Sequence, residues 1–159
     1  MNHGSVSEDM PASSGEVFDL LHDYDQRLAW DTLLSAAYLA DGQVRAEQGA
    51  ASVCIGRLAL GRIALKTVYV TFDRPRMAAV KMVNSPPFFG SWAASIRHDD
   101  LGPGGSRLTY TWTFTARPRW LAWLLEPVMG RVFHWETRKR LKALRAFLAR
   151  RRHALPTIS

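Results

Sequence analysis

The sequence predicts an α+β fold in which a curved antiparallel β-sheet is wrapped around a long C-terminal helix, with two short helices near the N-terminus. Three observations carry this expectation. Five segments of strand character follow one another at hairpin spacing between residues 50 and 116, separated by turn residues. The last of them, "SRLTYTWTFTA" (106–116), alternates Leu108, Tyr110, Trp112 and Phe114 with Thr109, Thr111, Thr113 and Thr115. One face is therefore bulky and apolar and the other hydroxyl-bearing, as in an antiparallel sheet wetted on one side. Beyond it lies a single long helical pattern, the only segment long enough to cover the apolar face of such a sheet.

Taken in order, "HGSVSEDM" is polar and allows at most a short first strand. "ASSGEVFDLLHDY" supplies Ser13 or Ser14 as a helix-starting acceptor, Glu16 in the first turn, and Val17, Leu20, Leu21 and Tyr24 at three- and four-residue steps. A second short turn holds "QRLAWD", and "LLSAAYLADG" reads as a strand that ends at Asp41-Gly42. The candidate strands that follow span 50–60, 62–72, 76–84, 89–98 and 106–116, with Gly61, "DRP", "SPP" and "LGPGG" between them. "RPRWLAWLL" reads as an approach to the final helix, with Pro127 in its first turn. On that helix Met129, Gly130, Phe133, Thr137, Leu141, Leu144, Phe147 and Leu148 share one side, and Arg131, Trp135, Arg138, Lys139, Lys142 and Arg145 the other. Glu136 and Arg140 are spaced for a helical ion pair. The end of the chain, 155–159, reads as a frayed tail.

A chain of 159 residues suits one domain, 1–159, and neither repeats nor a linker divide it. The lone cysteine, Cys54, excludes an intrachain disulfide, and no cluster of metal ligands or glycine-rich phosphate loop is visible. No metal and no cofactor are expected. The absence of a signal-like start or a long apolar run points to a cytoplasmic location. Charge is unevenly distributed: residues 117–152 carry eleven Lys or Arg against two Glu, net +9, while the remainder carries net −2. An anionic membrane surface is a candidate partner for this basic helix. Nucleic acid is not, because no recognised binding motif accompanies the charges.

The phrase "PASSGEVFDLLHDYDQRLAWD" and the ending "RPRWLAWLLEPVMGRVFHWETRKRLKALRAFL" resemble the opening and closing helix of START-like (SRPBCC, helix-grip) domains. The polyketide cyclase/dehydrase-like branch is the most similar. The resemblance implies the helix-grip fold and an apolar cavity between sheet and helix that holds a hydrophobic small molecule: a lipid, an isoprenoid or an aromatic polyketide. It equally allows an aromatase/cyclase-type enzyme that folds a reactive chain and polarises a carbonyl, or a coenzyme Q-binding protein.

Alternation assigns the candidate pocket lining. Tyr110, Trp112 and Phe114 face inward with Leu108 on the last strand, Trp92 and Ile96 on the one before, and Val80 and Met82 on the next; Met129 and Phe133 point in from the helix. On strand 62–72 both faces are half apolar. An outward Lys66 is the expected arrangement and places Tyr69 in the cavity. In "NSPPFFG", Phe88 and Phe89 are candidates for a lid over the mouth. Tyr69, Tyr110 and the border residue His134 are the candidate catalytic groups. Asp23, Asp25 and Asp31 are expected to cap turns, with Trp30 packed beneath the short helices.

Overall fold

A computed structural model describes residues 1–57 and 62–155. The strand reading of residues 58–60 and the turn at Gly61 lie outside the described residues, as does nearly all of the expected tail. The elements are β1 (Asn2–Met10), α1 (Ser14–His22), α2 (Arg27–Trp30), β2 (Leu34–Leu39), β3 (Ala51–Gly56), β4 (Ala64–Asp73), β5 (Met77–Met82), β6 (Phe89–Gly102) and β7 (Gly105–Ala116). A 3₁₀ turn (Arg119–Leu121) then leads into α3 (Ala122–Ala154). The strands form one curled antiparallel sheet in the order β1-β7-β6-β5-β4-β3-β2, and α3 lies in its concave face. This is the helix-grip arrangement.

Local chemistry sets the element ends. Ser13 and Glu16 form a reciprocal capping box at the start of α1. On the outer face of the sheet, Ser5 pairs with Thr111, Ser7 with Thr109 and Ser91 with Thr115 through their hydroxyls, which accounts for the threonine half of the β7 alternation. On the inner face, Leu108, Trp112 and Phe114 are fully buried with Val17, Leu141 and Leu144.

Two expectations need correction. The first strand is nine residues long and pairs with β7 from Asn2↔Phe114 to Met10↔Ser106. Its polarity reflects an edge position: Val6 and Met10 are its buried side chains. The final helix begins at Ala122, so Pro127 lies inside it rather than in its first turn. The carbonyl freed four residues earlier belongs to Trp123, which is exposed, so the lost hydrogen bond falls at the solvent face.

Two glycines allow close approach. A Cβ on Gly4 would collide with the Trp112 indole, and one on Gly130 would stand 2.7 Å from the Asn2 amide oxygen. β1 can therefore lie against the core tryptophan only with glycine at position 4, whereas a side chain at position 130 would require the Asn2 amide to move aside. Gly4→Val is expected to destabilise the fold by about 1–3 kcal/mol through overpacking. Ser5→Val, one residue away on the wet face, should change stability by no more than about 0.5 kcal/mol. Urea denaturation of the two variants checks this.

Candidate functional site

A partly open cavity of about 100 Å³ lies between β3–β7, α2 and α3. Strand alternation fixes its wall. β3 presents Ser52 and Cys54, β4 presents Leu65, Thr67 and Tyr69, and β6 presents Trp92 and Ile96; Val80 and Tyr110 complete the sheet side. Phe133, Thr137 and Arg140 enter from α3, and His22, Tyr24 and Arg27 from the short helices. A separate surface groove of about 700 Å³ runs between α1 and the β2–β3 connection, and shares only His22 and Tyr24 with the cavity.

The predicted lining residues divide. Tyr69, Val80, Phe89, Trp92, Ile96, Tyr110 and Phe133 stand on the cavity wall. Trp112 and Phe114 are inward but sealed in the solid core behind it, with Met82 and Met129 packed around that core. Phe88 and Phe89 do not act as a pair. Phe89 is buried against Phe114 and Phe133, while Phe88 is 56% exposed with a left-handed backbone (φ 69°) and covers nothing as a lid would. His134 is exposed at the border of α3, its ring 6.2 Å from that of Trp112, and it is not on the cavity wall. Lys66 points outward, with its ammonium 3.5 Å from Asp41.

The cavity's polar chemistry comes from residues that sequence reasoning assigned elsewhere. Asp31 does cap a turn, accepting the Leu33 amide, but it is also fully buried between two guanidiniums. Arg27 Nε donates to it at 2.9 Å, and Arg140 Nε and Nη2 donate at 3.1 and 2.9 Å. Arg140 therefore pairs with Asp31, and Glu136 pairs with Lys139, in place of the expected Glu136–Arg140 bridge. Arg27 also donates to the Leu21 carbonyl at the end of α1. Burial opposes ionisation of Asp31, but Arg140 and Arg27 outweigh it and hold its carboxyl below the usual range. Two cations and one anion leave the site with one uncompensated positive charge.

A second network lies alongside. The Tyr69 hydroxyl is 2.9 Å from both His22 Nδ1 and the Tyr24 hydroxyl. Burial pushes Tyr69 well above its ordinary pKa and His22 well below, so both are neutral. Tyr110 and Cys54 are likewise pushed up by burial. On this same wall, His22 Nε2 and Trp92 Nε1 are buried without a partner among the described residues. No group of three or more His, Cys, Asp or Glu side chains placed to hold a metal exists among the described residues.

A curled seven-stranded sheet gripping a long helix is the START-like, helix-grip arrangement. The sequence matches, over residues 1–149, the family described as polyketide cyclase / dehydrase and lipid transport, and the chain belongs to that family. No curated protein sequence matches it. Among solved structures, the Zhui aromatase/cyclase from Streptomyces sp. R1128 superposes with a TM-score of 0.81 at 16% identity, covering 96% of each chain. A START superfamily protein from Mycobacterium smegmatis gives 0.77 at 11% identity, over 93% of this chain and 97% of its own. The di-domain ARO/CYC StfQ of the steffimycin biosynthetic pathway gives 0.76 at 13%, over 96% of this chain and 52% of its own. At these identities the likeness is one of fold. No helix among the described residues is long and apolar enough to cross a membrane.

Two predictions test these electrostatics. Asp31→Asn should cost about 3–5 kcal/mol in chemical denaturation, because it strands two buried cations. Arg145→Gln, which removes an exposed partner of Glu8, should cost no more than about 1 kcal/mol. His98, 4% exposed and without a partner on either ring nitrogen among the described residues, has its pKa pushed down by burial to about 4. The unfolded chain, with an ordinary histidine near 6.5, takes up the proton first as pH falls. Stability should therefore drop below about pH 6.5 and continue to drop to about pH 4, by on the order of 3 kcal/mol from this group. His98→Leu should flatten that limb in urea midpoints measured across the same pH range.

Proposed function

We propose that this protein binds a largely apolar small molecule and holds a carbonyl, enol or enolate oxygen of that molecule against Arg27 and Arg140. The observation that carries the reading is the uncompensated guanidinium charge on the wall of a small, largely apolar cavity. A buried charge without a counter-charge is costly, and an oxygen with anionic character on the ligand would offset that cost. The unpartnered nitrogens of His22 and Trp92 offer two further places for ligand polar atoms.

Size restricts the ligand. The cavity holds about one ring or a short chain end, well below the roughly 300–1,000 Å³ of typical small-molecule sites. A lipid, isoprenoid or aromatic polyketide is accommodated only if wall side chains move. Tyr24 is the candidate, because with His22 it separates the cavity from the 700 Å³ groove. Swinging its hydroxyl off Tyr69 would join the two spaces.

A second reading, a cyclase-type enzyme, has its own support in the His22–Tyr69–Tyr24 chain. Neutral His22 has a free ring nitrogen to accept a proton, and the neutral Tyr69 hydroxyl can donate to a carbonyl. The guanidiniums would then stabilise the enolate formed when a carbon flanked by carbonyls loses its proton.

The test for binding is calorimetric titration with benzoylacetone, a one-ring β-diketone, beside butylbenzene, which has the same skeleton without oxygen. The diketone should bind at least about tenfold more tightly, as expected for one charge-assisted hydrogen bond. Equal affinities would reject the oxygen-binding role of the arginines, and failure of both to bind would reject the cavity as a ligand site. Deuterium exchange at the diketone's central carbon, accelerated by the protein and lost in His22→Gln, is the outcome that the enzymatic reading requires.

A further inference from the structure

The 3₁₀ turn and the first half of α3 carry an aromatic surface that the cavity does not use. Trp120, Trp123 and Trp135 are 76%, 75% and 59% exposed, and Leu124 and Val128 are also exposed. Along α3, Leu124, Val128 and Trp135 follow at steps of four and seven on a stripe away from Phe133 and Thr137, whereas Trp123 projects roughly 120° round the helix from Trp135 and Trp120 stands on the 3₁₀ turn just before it. Burying tryptophan is strongly favourable, so the indoles of Trp120 and Trp123, left in water together at the entry to α3, mark a surface that something covers.

Charge identifies the cover. Arg117, Arg119, Arg131, Arg138 and Lys142 flank or continue the stripe and are exposed. The two carboxylates of this segment do not balance them. Glu126 is turned inward to accept the Ala116 amide, with its side chain 16% exposed, and Glu136 is 9% exposed and paired with Lys139. Indoles with apolar bodies and polar N–H tips, ringed by arginines free of acidic neighbours, match the boundary between acyl chains and anionic headgroups.

The location adds a second argument. The Phe88 carbonyl accepts the Arg117 amide, so the exposed Phe88 ring projects from the same end of the molecule as Trp120. Phe88 is held there in a left-handed backbone that non-glycine residues rarely adopt, at a cost that its own burial does not repay. Phe89, the next residue, and Phe133 of α3 belong to the cavity wall.

We infer that this face is a docking surface for an anionic lipid bilayer, with Trp120, Trp123 and Phe88 entering the headgroup–acyl boundary and the flanking arginines meeting lipid phosphates. The arrangement turns the Phe89–Phe133 end of the cavity toward the membrane. It stands on the surface alone and does not depend on which ligand the cavity holds.

The test is co-sedimentation of the full chain with phosphatidylcholine vesicles and with vesicles containing about 30% phosphatidylglycerol at 0.15 M salt, with tryptophan fluorescence and quenching by brominated lipid as a second readout. The anionic vesicles should bind at least about tenfold more tightly, with a blue shift and quenching, and 0.5 M salt should weaken the binding. A Trp120→Ala/Trp123→Ala variant should lose at least about tenfold in vesicle affinity with an unchanged unfolding midpoint, because both side chains are exposed. Failure to bind anionic vesicles at millimolar lipid, or binding that the double variant leaves intact, would overturn the inference. So would a concentration-dependent dimer in sedimentation that the double variant abolishes, since a second copy would then be the cover.

Discussion

The contact on which the rest of this structure depends is the Asp31 carboxylate held between Arg27 and Arg140. It joins α2 to α3, two elements more than a hundred residues apart, and Arg27 extends the tie to the end of α1 through the Leu21 carbonyl. Placing three charges out of water is expensive, and apolar replacements of matched shape often serve stability as well or better. The triad also differs from a simple buried pair. Two of its members line the cavity, and its charges do not sum to zero. The side chains that dock the short helices onto the long one thus give the cavity its electrostatic character.

From that constraint follows the division of the concave face into two regions. Toward β7 and the middle of α3, the rings of Trp112, Phe114 and Phe133 stack closely and leave no cavity wall between them. Toward β3 and β4 the side chains facing α2 are smaller or polar: Ser52, Cys54, Thr67 and the hydroxyl end of Tyr69. Residual space collects where volume is short and where charged heads prevent closure. The cavity is consequently small, and polar on one side, rather than the broad oily chamber that a count of six tryptophans and seven phenylalanines suggests.

How much of this could be read from the chain depends on whether the signal was local. The β7 alternation was legible because one face meets water and the other the core, a difference that every second residue repeats. The outward placement of Lys66 followed from the same rule, applied against a strand with two half-apolar faces. The length of β1 was hidden because an edge strand with two inward side chains needs little hydrophobicity, and its fit rests on Gly4 yielding to Trp112. The triad was hidden for a different reason. Arg140 sits four residues from Glu136, a spacing that announces a helical pair, yet its partner comes from the other end of the chain. Local spacing carries a few tenths of a kcal/mol, and a buried carboxylate overrides it readily. A sequence clue to the site did exist in the Arg27–Asp31 spacing, which places an ion pair on one face of the turn before β2.

The long helix has to satisfy two surfaces at once, and its composition shows how. Over the sheet it presents Phe133, Thr137, Leu141, Leu144 and Leu148 in steps of three and four, a stripe broken by one threonine where the cavity lies. On the side away from the sheet, an aromatic first half gives way to a basic second half whose arginines reach back to anchor the fold, Arg145 to Glu8 and Arg152 to the Pro11 carbonyl. Positive charge in the last turns also complements the helix dipole, so that end has a structural reason for its arginines. The first half is tied through Glu126, to the Ala116 amide and the Met1 ammonium, and not through its arginines: Trp123, with Trp120 on the turn before the helix, contributes little to the core, and Arg119 and Arg131 find no acid nearby among the described residues. A helix that needed only to close the sheet would not place its most hydrophobic side chains in water at one end. That asymmetry separates the part of α3 that holds the fold together from the part that is free to meet a partner.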